Sequence, residues 1–236
     1  RLKLLGDIYR PGSLAFIQHD LKADITVCEL GCGIGCMTLP IAEQVKQVVA
    51  IDNSEEQLIL ARRRAKDSKI ENVDFINADV MAWDGLDQRF DVIYSRLLLM
   101  HLAHPEDVIK KLKWLLKPGG VLLLEEPDAT TFHCNRESKA FSRWDAICVA
   151  SLSAADFGVN LCQLASDVGY RVIDQCVFKP STKDRHEKTF MRLGMEEVQA
   201  LLIQRGFVDE TSLAELCAGL RELEEDPGVV IDMMSM

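Results

Sequence analysis

Hydrophobic and polar residues follow two alternating patterns along the first half of the chain. Short, continuous apolar runs each end at a polar residue or a glycine, and between them apolar residues recur three or four positions apart. Continuous apolar runs are typical of strands buried on both faces, and the wider spacing is typical of amphipathic helices. The predicted strands are residues 24–30, 47–52, 73–79, 90–95 and 121–126.

Helices are predicted between these strands, at residues 36–46, from Asn53 onward, and at 104–117. Ser54 and Gln57 match the capping-box pattern at the start of the second helix. Because strands and helices alternate, the sequence predicts an α/β fold with a parallel sheet covered on both faces.

The second half of the chain, after Pro127, has mostly helical spacing. One apolar run, "YRVIDQCVF" at residues 170–178, predicts a sixth strand. The last residues, "VVIDMMSM", predict a further short strand, and we expect the natural chain to continue beyond Met236. Helical patterns lie at 136–153, 159–168, 183–205 and 212–226.

The segment "CELGCGIGC" (28–36) places three cysteines and three glycines between a predicted strand and a predicted helix. Cys28, Cys32 and Cys36 would lie in the strand, the turn and the helix, so their thiols would diverge. Structural zinc normally takes four ligands in paired short spacings. We therefore predict no metal site and expect the cysteines to pack as small apolar residues.

The glycines of this segment favour a turn built for a nucleotide. Gly31, Gly33 and Gly35 would let the backbone turn tightly and approach a ligand closely. Asp52 ends the next strand, where a carboxylate can accept both hydroxyls of a ribose, although helix capping is an alternative role. Asp79 ends the third strand and is placed to accept from an adenine amino group.

Charge and composition exclude several classes of partner. The chain has 27 basic and 37 acidic side chains and a net charge of −10, which opposes binding to a phosphate backbone, so we predict no nucleic-acid partner. It has no continuous apolar run long enough to span a membrane, so no membrane partner is predicted. Eight cysteines without paired spacing suggest reduced thiols and a cytoplasmic location.

Five segments in this order resemble the class I S-adenosylmethionine-dependent methyltransferases, in the small-molecule branch with a single methyltransferase domain. The resemblance covers about residues 24–127 and implies S-adenosyl-L-methionine as cofactor, S-adenosyl-L-homocysteine as product, and a small-molecule acceptor. The segments are "VCELGCGIG", "VVAIDNS", "INADV", "FDVIYSRLLLMHL" and "LKPGGVLLLEE".

The resemblance also implies a set of cofactor-binding residues at the ends of the first four strands. Those after the first strand would hold the methionine end and the ribose edge, those after the second the ribose, those after the third the adenine, and those after the fourth the methionine portion and the reacting centre. In chain order they are Glu29, Gly31, Cys32, Gly33, Asp52, Asn53, Gln57, Ala78, Asp79, Val80, Ser95, Arg96 and Leu97.

Methyl transfer is an in-line displacement, so a general base is needed only where the acceptor's pKa requires one. The candidate bases are His101, His104, Glu125 and Glu126. We rank His101 first as the catalytic residue because it follows the fourth strand on the acceptor side, although a packing role is an alternative. Either glutamate could equally be a structural partner for Arg96.

The resemblance further implies how the domains are organised. Residues 1–23 would form an N-terminal helical lid, with its helix broken at "RPGS" (10–13). Residues 24–236 would form a Rossmann-like, doubly wound, seven-stranded and mostly parallel sheet, in which residues 230–236 are the antiparallel last strand. Helical cap insertions at about 129–168 and 181–228 would lie together over the carboxyl edge and, with the lid, enclose the acceptor.

Aromatic and methionine side chains in these insertions could form the roof of an acceptor pocket or plain core. They are Phe141, Trp144, Phe157, Phe190 and Met191.

The sequence therefore predicts a methyltransferase acting on a small, apolar or aromatic molecule. "YSRL" stands where methylases of exocyclic amines and amides carry Asn-Pro-Pro-Tyr, which disfavours a nucleic-acid substrate. Three alternatives stay open: a non-catalytic protein that binds S-adenosylmethionine or a nucleotide, a protein or nucleic-acid methyltransferase, and a dinucleotide oxidoreductase. The methylated atom and the oligomeric state are not predicted.

Overall fold

The structure is a computed structural model that describes residues 1–85, 89–152 and 154–236. Its main sheet has five parallel strands in the order β3-β2-β1-β4-β5. This confirms the predicted α/β class and the parallel sheet. The strands are β1 (Thr26–Leu30), β2 (Gln47–Asp52), β3 (Val73–Asn77), β4 (Phe90–Arg96) and β5 (Leu116–Glu125).

Helices cover both faces of this sheet. Alternate residues of one strand enter different cores: Val27 of β1 packs with helices on one face, whereas its neighbour Cys28 packs on the other face. Burial on both faces explains why the strands are continuous apolar runs. The helices are α1 (Leu2–Ile17), α2 (Thr38–Ala42), α3 (Glu55–Asp67) and α4 (Pro105–Leu115).

The order of the strands defines where a ligand can bind. β1 lies between β2 and β4, so the chain leaves β1 in one direction and later returns to its other side. In open α/β sheets the crevice at the carboxyl ends of such strands is the ligand site.

The prediction of seven strands in the main sheet is wrong, because the described residues place five there. Residues 170–178, predicted as the sixth strand, run beside β5 without strand conformation. Two cavities of about 390 and 420 Å³ are each lined by residues of both segments. Among the described residues, no strand pairing joins residues 170–178 to β5.

The end of the chain does pair antiparallel, but in a second, smaller sheet. β8 (Ile231–Asp232) lies between β6 (His133–Cys134) and β7 (Ser181–Thr182). Beyond β8, the Phe178 and Met236 backbones exchange two hydrogen bonds of 3.1 and 3.0 Å. The predicted antiparallel direction is therefore observed, and the predicted membership of the main sheet is wrong.

The N-terminal helix is continuous, which corrects the expected break at residues 10–13. α1 runs from Leu2 to Ile17 with Pro11 inside it. Tyr9, Ser13 and Ile17 are fully buried on either side of the proline. Tertiary packing thus outweighs the hydrogen bond that proline cannot donate.

A separate hydrophobic core unites α1 with most of the helices of the second half. Phe132 and Phe190 both pack against Trp144, with ring centroids 4.7 and 5.5 Å from it. Phe141, Trp144, Phe190 and Met191 lie in this core, which favours the core interpretation over an acceptor roof. The helices are α5 (Lys139–Ser151), α6 (Leu161–Asp167), α7 (Arg185–Lys188), α8 (Phe190–Glu197), α9 (Gln199–Gln204) and α10 (Glu210–Glu225).

The first helical insertion divides between the two halves of the molecule. α5 packs against α10 in the helical core, whereas α6 packs against α4 on the main sheet. Phe157, in the 3₁₀ turn before α6, also packs with the main sheet. Within residues 129–168, α5 therefore packs in the helical core and α6 on the main sheet, and the cap role of this insertion stays a prediction.

Candidate functional site

The turn after β1 depends on glycine at three positions. Gly31, Gly33 and Gly35 have φ angles of +68°, +55° and +74°, in the left-handed region that L side chains disfavour. A Cβ on Gly31 would lie 3.2–3.3 Å from three atoms of Leu98, and one on Gly33 would lie 2.9 Å from Gln57 Oε1. Backbone conformation favours glycine at all three positions, and the Leu98 side chain adds a packing constraint at Gly31.

Asp52, at the end of β2, holds this turn in place. Its Oδ2 accepts a 2.8 Å hydrogen bond from the Gly33 amide, and its Oδ1 accepts a 2.9 Å bond from the Ser54 amide. Ser54 caps α3 by accepting from the Gln57 amide. A carboxylate has about four acceptor sites, so the half-buried Asp52 can still accept from a ligand.

Glu29 and Ser95 bring two unpaired polar atoms to the same edge of the sheet. Glu29 lies near the end of β1, and Ser95 of β4 is in register with Leu30, the next residue. Because side chains alternate along a strand, Glu29 and Ser95 leave this edge on opposite faces of the sheet. Within the described part of the chain, Glu29 Oε2, Thr38 Oγ1 and Ser95 Oγ are buried without a hydrogen-bond partner. Because such burial costs about 1–3 kcal/mol per group, the arrangement points to a polar ligand.

The electrostatic setting of Glu29 follows from its burial. Desolvation raises the pKa of Glu29 to about 7, and the charge of Asp52 adds to this, while the Thr38 hydroxyl and Arg96 oppose it. A positively charged ligand would favour the ionised carboxylate.

The predicted adenine-side residues lie beside β2. The Ala78 amide donates to the Asp52 carbonyl at 3.0 Å, which holds this segment next to the glycine turn. Asp79 is exposed, and its Oδ1 accepts from the Met81 amide at 2.8 Å. Val80 is buried in the core between the main sheet and α4. Asn53 is exposed.

A buried network joins α1 to the end of β4, and the sequence analysis missed its α1 member, Ser13. Ser13 Oγ donates to Glu125 Oε2 at 2.8 Å and accepts from Arg96 at 3.1 Å, and the Tyr94 hydroxyl donates to Glu125 Oε1 at 2.6 Å. Burial raises the pKa of Glu125. Both of its oxygens are engaged, so it is a structural residue and not a free base.

Glu126 is engaged in the same way, by the loop after β4. Its Oε1 accepts from the Leu98 and Leu99 amides at 3.0 and 2.8 Å, and its Oε2 accepts from the Met100 amide at 3.3 Å. Burial raises the pKa of Glu126 to about 7. The interpretation of Glu126 as a candidate base is therefore not supported.

The two candidate histidines both lie after β4. His101 is exposed at the end of a 3₁₀ turn, Leu99–His101, where partial desolvation and the charge of Arg1 lower its pKa. His104 occupies the N-cap position of α4, but its side chain makes no capping hydrogen bond.

The cysteines of the glycine turn pack in separate places. Cys28 and Cys32 belong to the cores on opposite faces of the sheet, and burial raises the pKa of each thiol. Cys36 lies against the Leu2 carbonyl and Arg64. These positions do not direct the three thiols at one ion.

Among the described residues, the structure contains no helix with the length and apolar character needed to cross a membrane.

Comparison with known proteins identifies the family. A family model described as a methyltransferase domain matches residues 21–191. Trans-aconitate 2-methyltransferase of Variovorax paradoxus is 34% identical over 50% of this chain and 45% of its own length. Ubiquinone biosynthesis O-methyltransferase of Stutzerimonas stutzeri is 32% identical over 53% of this chain and 51% of its own length.

A solved structure shows the same fold. YcgJ protein from Bacillus subtilis superimposes with a TM-score of 0.61 over 94% of this chain and 93% of its own, at 14% identity. The chain thus belongs to the class I S-adenosylmethionine-dependent methyltransferase family, as the sequence motifs predicted. The matched segment spans about half the length of these two curated relatives.

We predict that Gly31→Ala destabilises the protein more than Gly206→Ala. Both positions have positive φ angles of similar size, +68° and +74°, but only the Gly31 Cβ would meet a neighbour. Gly206→Ala should cost about 1–2 kcal/mol from backbone strain alone, and Gly31→Ala should cost more because of Leu98. Urea denaturation measures both, and equal losses would contradict the steric part of this explanation.

We also predict that the difference in stability between Glu29→Gln and the wild-type protein depends on pH. The pKa of this carboxyl rises from 4.5 to about 7 on folding, so between these pH values the folded state keeps a proton that the unfolded state has lost. Stability is therefore lost as pH rises through this interval, by about 3 kcal/mol in total. Glu29→Gln should gain that much relative stability between pH 4.5 and pH 8, measured by urea denaturation. Glu43→Gln, at an exposed position, serves as control; a difference that does not change with pH would contradict the prediction.

Proposed function

We propose that the protein is an S-adenosylmethionine-dependent methyltransferase that methylates a small-molecule acceptor. The observation that carries the proposal is the glycine turn held by Asp52, which has two buried polar atoms without a partner at the strand ends around it, Glu29 Oε2 and Ser95 Oγ. These groups fit the cofactor, because the turn offers backbone to a ligand and the two carboxylates suit a molecule with positive charge.

Each strand end then has its own task in binding. Asp52 accepts from the ribose hydroxyls with the acceptor sites that Gly33 and Ser54 leave free, and Asn53 and Gln57 lie at the same end. Glu29 and the glycine turn receive the methionine end. The adenine lies along Ala78–Val80, and Ser95–Leu97 line the methionine portion.

When bound, S-adenosylmethionine supplies a methyl group on a positively charged sulfur. The chain's own task is to hold that group still, align the acceptor behind it and exclude water. The Ser13–Glu125–Arg96 network holds α1 against the end of β4, next to this site. We propose that α1 acts as the lid.

A small acceptor is supported by the relatives, which are named for trans-aconitate and for ubiquinone biosynthesis. The net charge of −10 also disfavours nucleic acid. A cytoplasmic location is part of the proposal, because all eight cysteines are free thiols; cell fractionation tests it.

Asp52→Ala should weaken cofactor binding at least tenfold. The variant loses two hydrogen bonds to a charged acceptor, each worth about 1.5–3 kcal/mol. Calorimetric titration with S-adenosylhomocysteine measures the loss, and Asp67→Ala at the exposed end of α3 is the control. An unchanged dissociation constant would place the ribose elsewhere. Binding of a nicotinamide dinucleotide, with none of S-adenosylmethionine or S-adenosylhomocysteine, would replace the proposal with an oxidoreductase.

His101 remains our candidate base for acceptors that must lose a proton. Its lowered pKa keeps the imidazole neutral at pH 7, as a base requires. His101→Gln should lower kcat for an acidic acceptor at least tenfold and leave S-adenosylhomocysteine affinity unchanged. A panel of hydroxyl acceptors tests this; unchanged kcat in His101→Gln would assign His101 to the surface.

A further inference from the structure

The loop that follows β4 is shaped by a single buried side chain. Three consecutive amides, those of Leu98, Leu99 and Met100, converge on the carboxylate of Glu126 at 2.8–3.3 Å. Glu126 is 2% exposed. The two carboxyl oxygens of Glu126 together offer enough acceptor sites to receive all three donors.

The same loop contains a backbone conformation that has to be held. Leu97 has a φ angle of +55°, which a leucine disfavours. Its amide donates to the Glu125 carbonyl at 3.0 Å. The strained residue and the three that follow it are thus tied to the end of β5, by a backbone hydrogen bond and by the Glu126 side chain.

The loop also touches the glycine turn. The Leu98 side chain occupies the space where a Gly31 Cβ would point, with its atoms 3.2–3.3 Å from that position. A movement of the loop would press Leu98 on the turn or leave a gap beside it. Ser95, with its unpaired hydroxyl, lies two residues before Leu97 on the same chain.

We propose that Glu126 is a positioning residue that fixes residues 97–100 in the conformation that completes the cofactor site. Glu126 acts through Leu97 and Leu98 and does not touch the cofactor. This inference rests on the proposed cofactor binding. Glu126 thus has a positioning role that differs from the base role considered from the sequence.

The test compares Glu126→Ala and Glu126→Gln with Glu224→Gln. Glu224 is an equally buried carboxylate, 5% exposed and paired with Arg192 in the helical core, so its loss reports general destabilisation. Calorimetric titration with S-adenosylhomocysteine measures affinity, and amide hydrogen exchange without ligand measures the loop. Thermal unfolding shows which variants are folded at the temperature used.

We expect Glu126→Ala to weaken S-adenosylhomocysteine binding at least tenfold and to speed exchange at residues 98–100. Glu126→Gln should fall between this variant and the unchanged protein, because one acceptor oxygen remains and its amide nitrogen faces a donor. If Glu126→Ala does not fold, Glu126→Gln alone still tests the proposal. Glu224→Gln should keep both properties within twofold while its melting temperature falls.

Two outcomes overturn the proposal. One is unchanged S-adenosylhomocysteine affinity in folded Glu126 variants, with or without faster exchange. The other is unchanged exchange at residues 98–100. If the unchanged protein binds neither S-adenosylhomocysteine nor S-adenosylmethionine, the proposed function fails, and the exchange measurement still decides whether Glu126 holds the loop.

Discussion

The hydrogen bond from the Gly33 amide to Asp52 is the interaction on which the rest of the site depends. It joins the turn after β1 to the end of β2, and the other oxygen of the same carboxylate receives the Ser54 amide at the start of α3. One side chain therefore sets the glycine turn, the strand end and the first turn of a helix. Because these three elements border the proposed cofactor site, small displacements of any of them would change its shape.

Much of the sheet could be predicted because its signals are local. Residues Val48–Ile51, for example, are all apolar because both faces of the strand are buried. The capping pattern at Ser54 marks the start of α3. Residues 170–178 have a similar apolar character, but a strand needs a partner at the right distance. Pairing is a property of distant parts of the chain, and composition does not reveal it.

The residues of the candidate site likewise fall into those that local sequence signals reveal and those that only distant contacts define. The glycine turn and Asp52 could be found because each follows directly after a strand of the predicted sheet. Ser13 could not, because its partner Glu125 is 112 positions away and a serine inside a helix carries no signal of its own. For Glu125 and Glu126 the sequence left two roles open, base or structural partner, since a sequence shows that a carboxylate is present and not what already binds to it.

The outer edge of β5 affects how copies of this protein can associate with one another. Within the described residues, the outer edge of this strand has no neighbour in the main sheet. Lys117 and Pro118 obstruct its beginning, as charge and proline do at many sheet edges. From Val121 to Glu125 the segment 170–178 lies along this edge and forms no strand with it. Such an edge is a template for intermolecular β-pairing, so self-association and aggregation at high concentration are the hazards that this architecture carries.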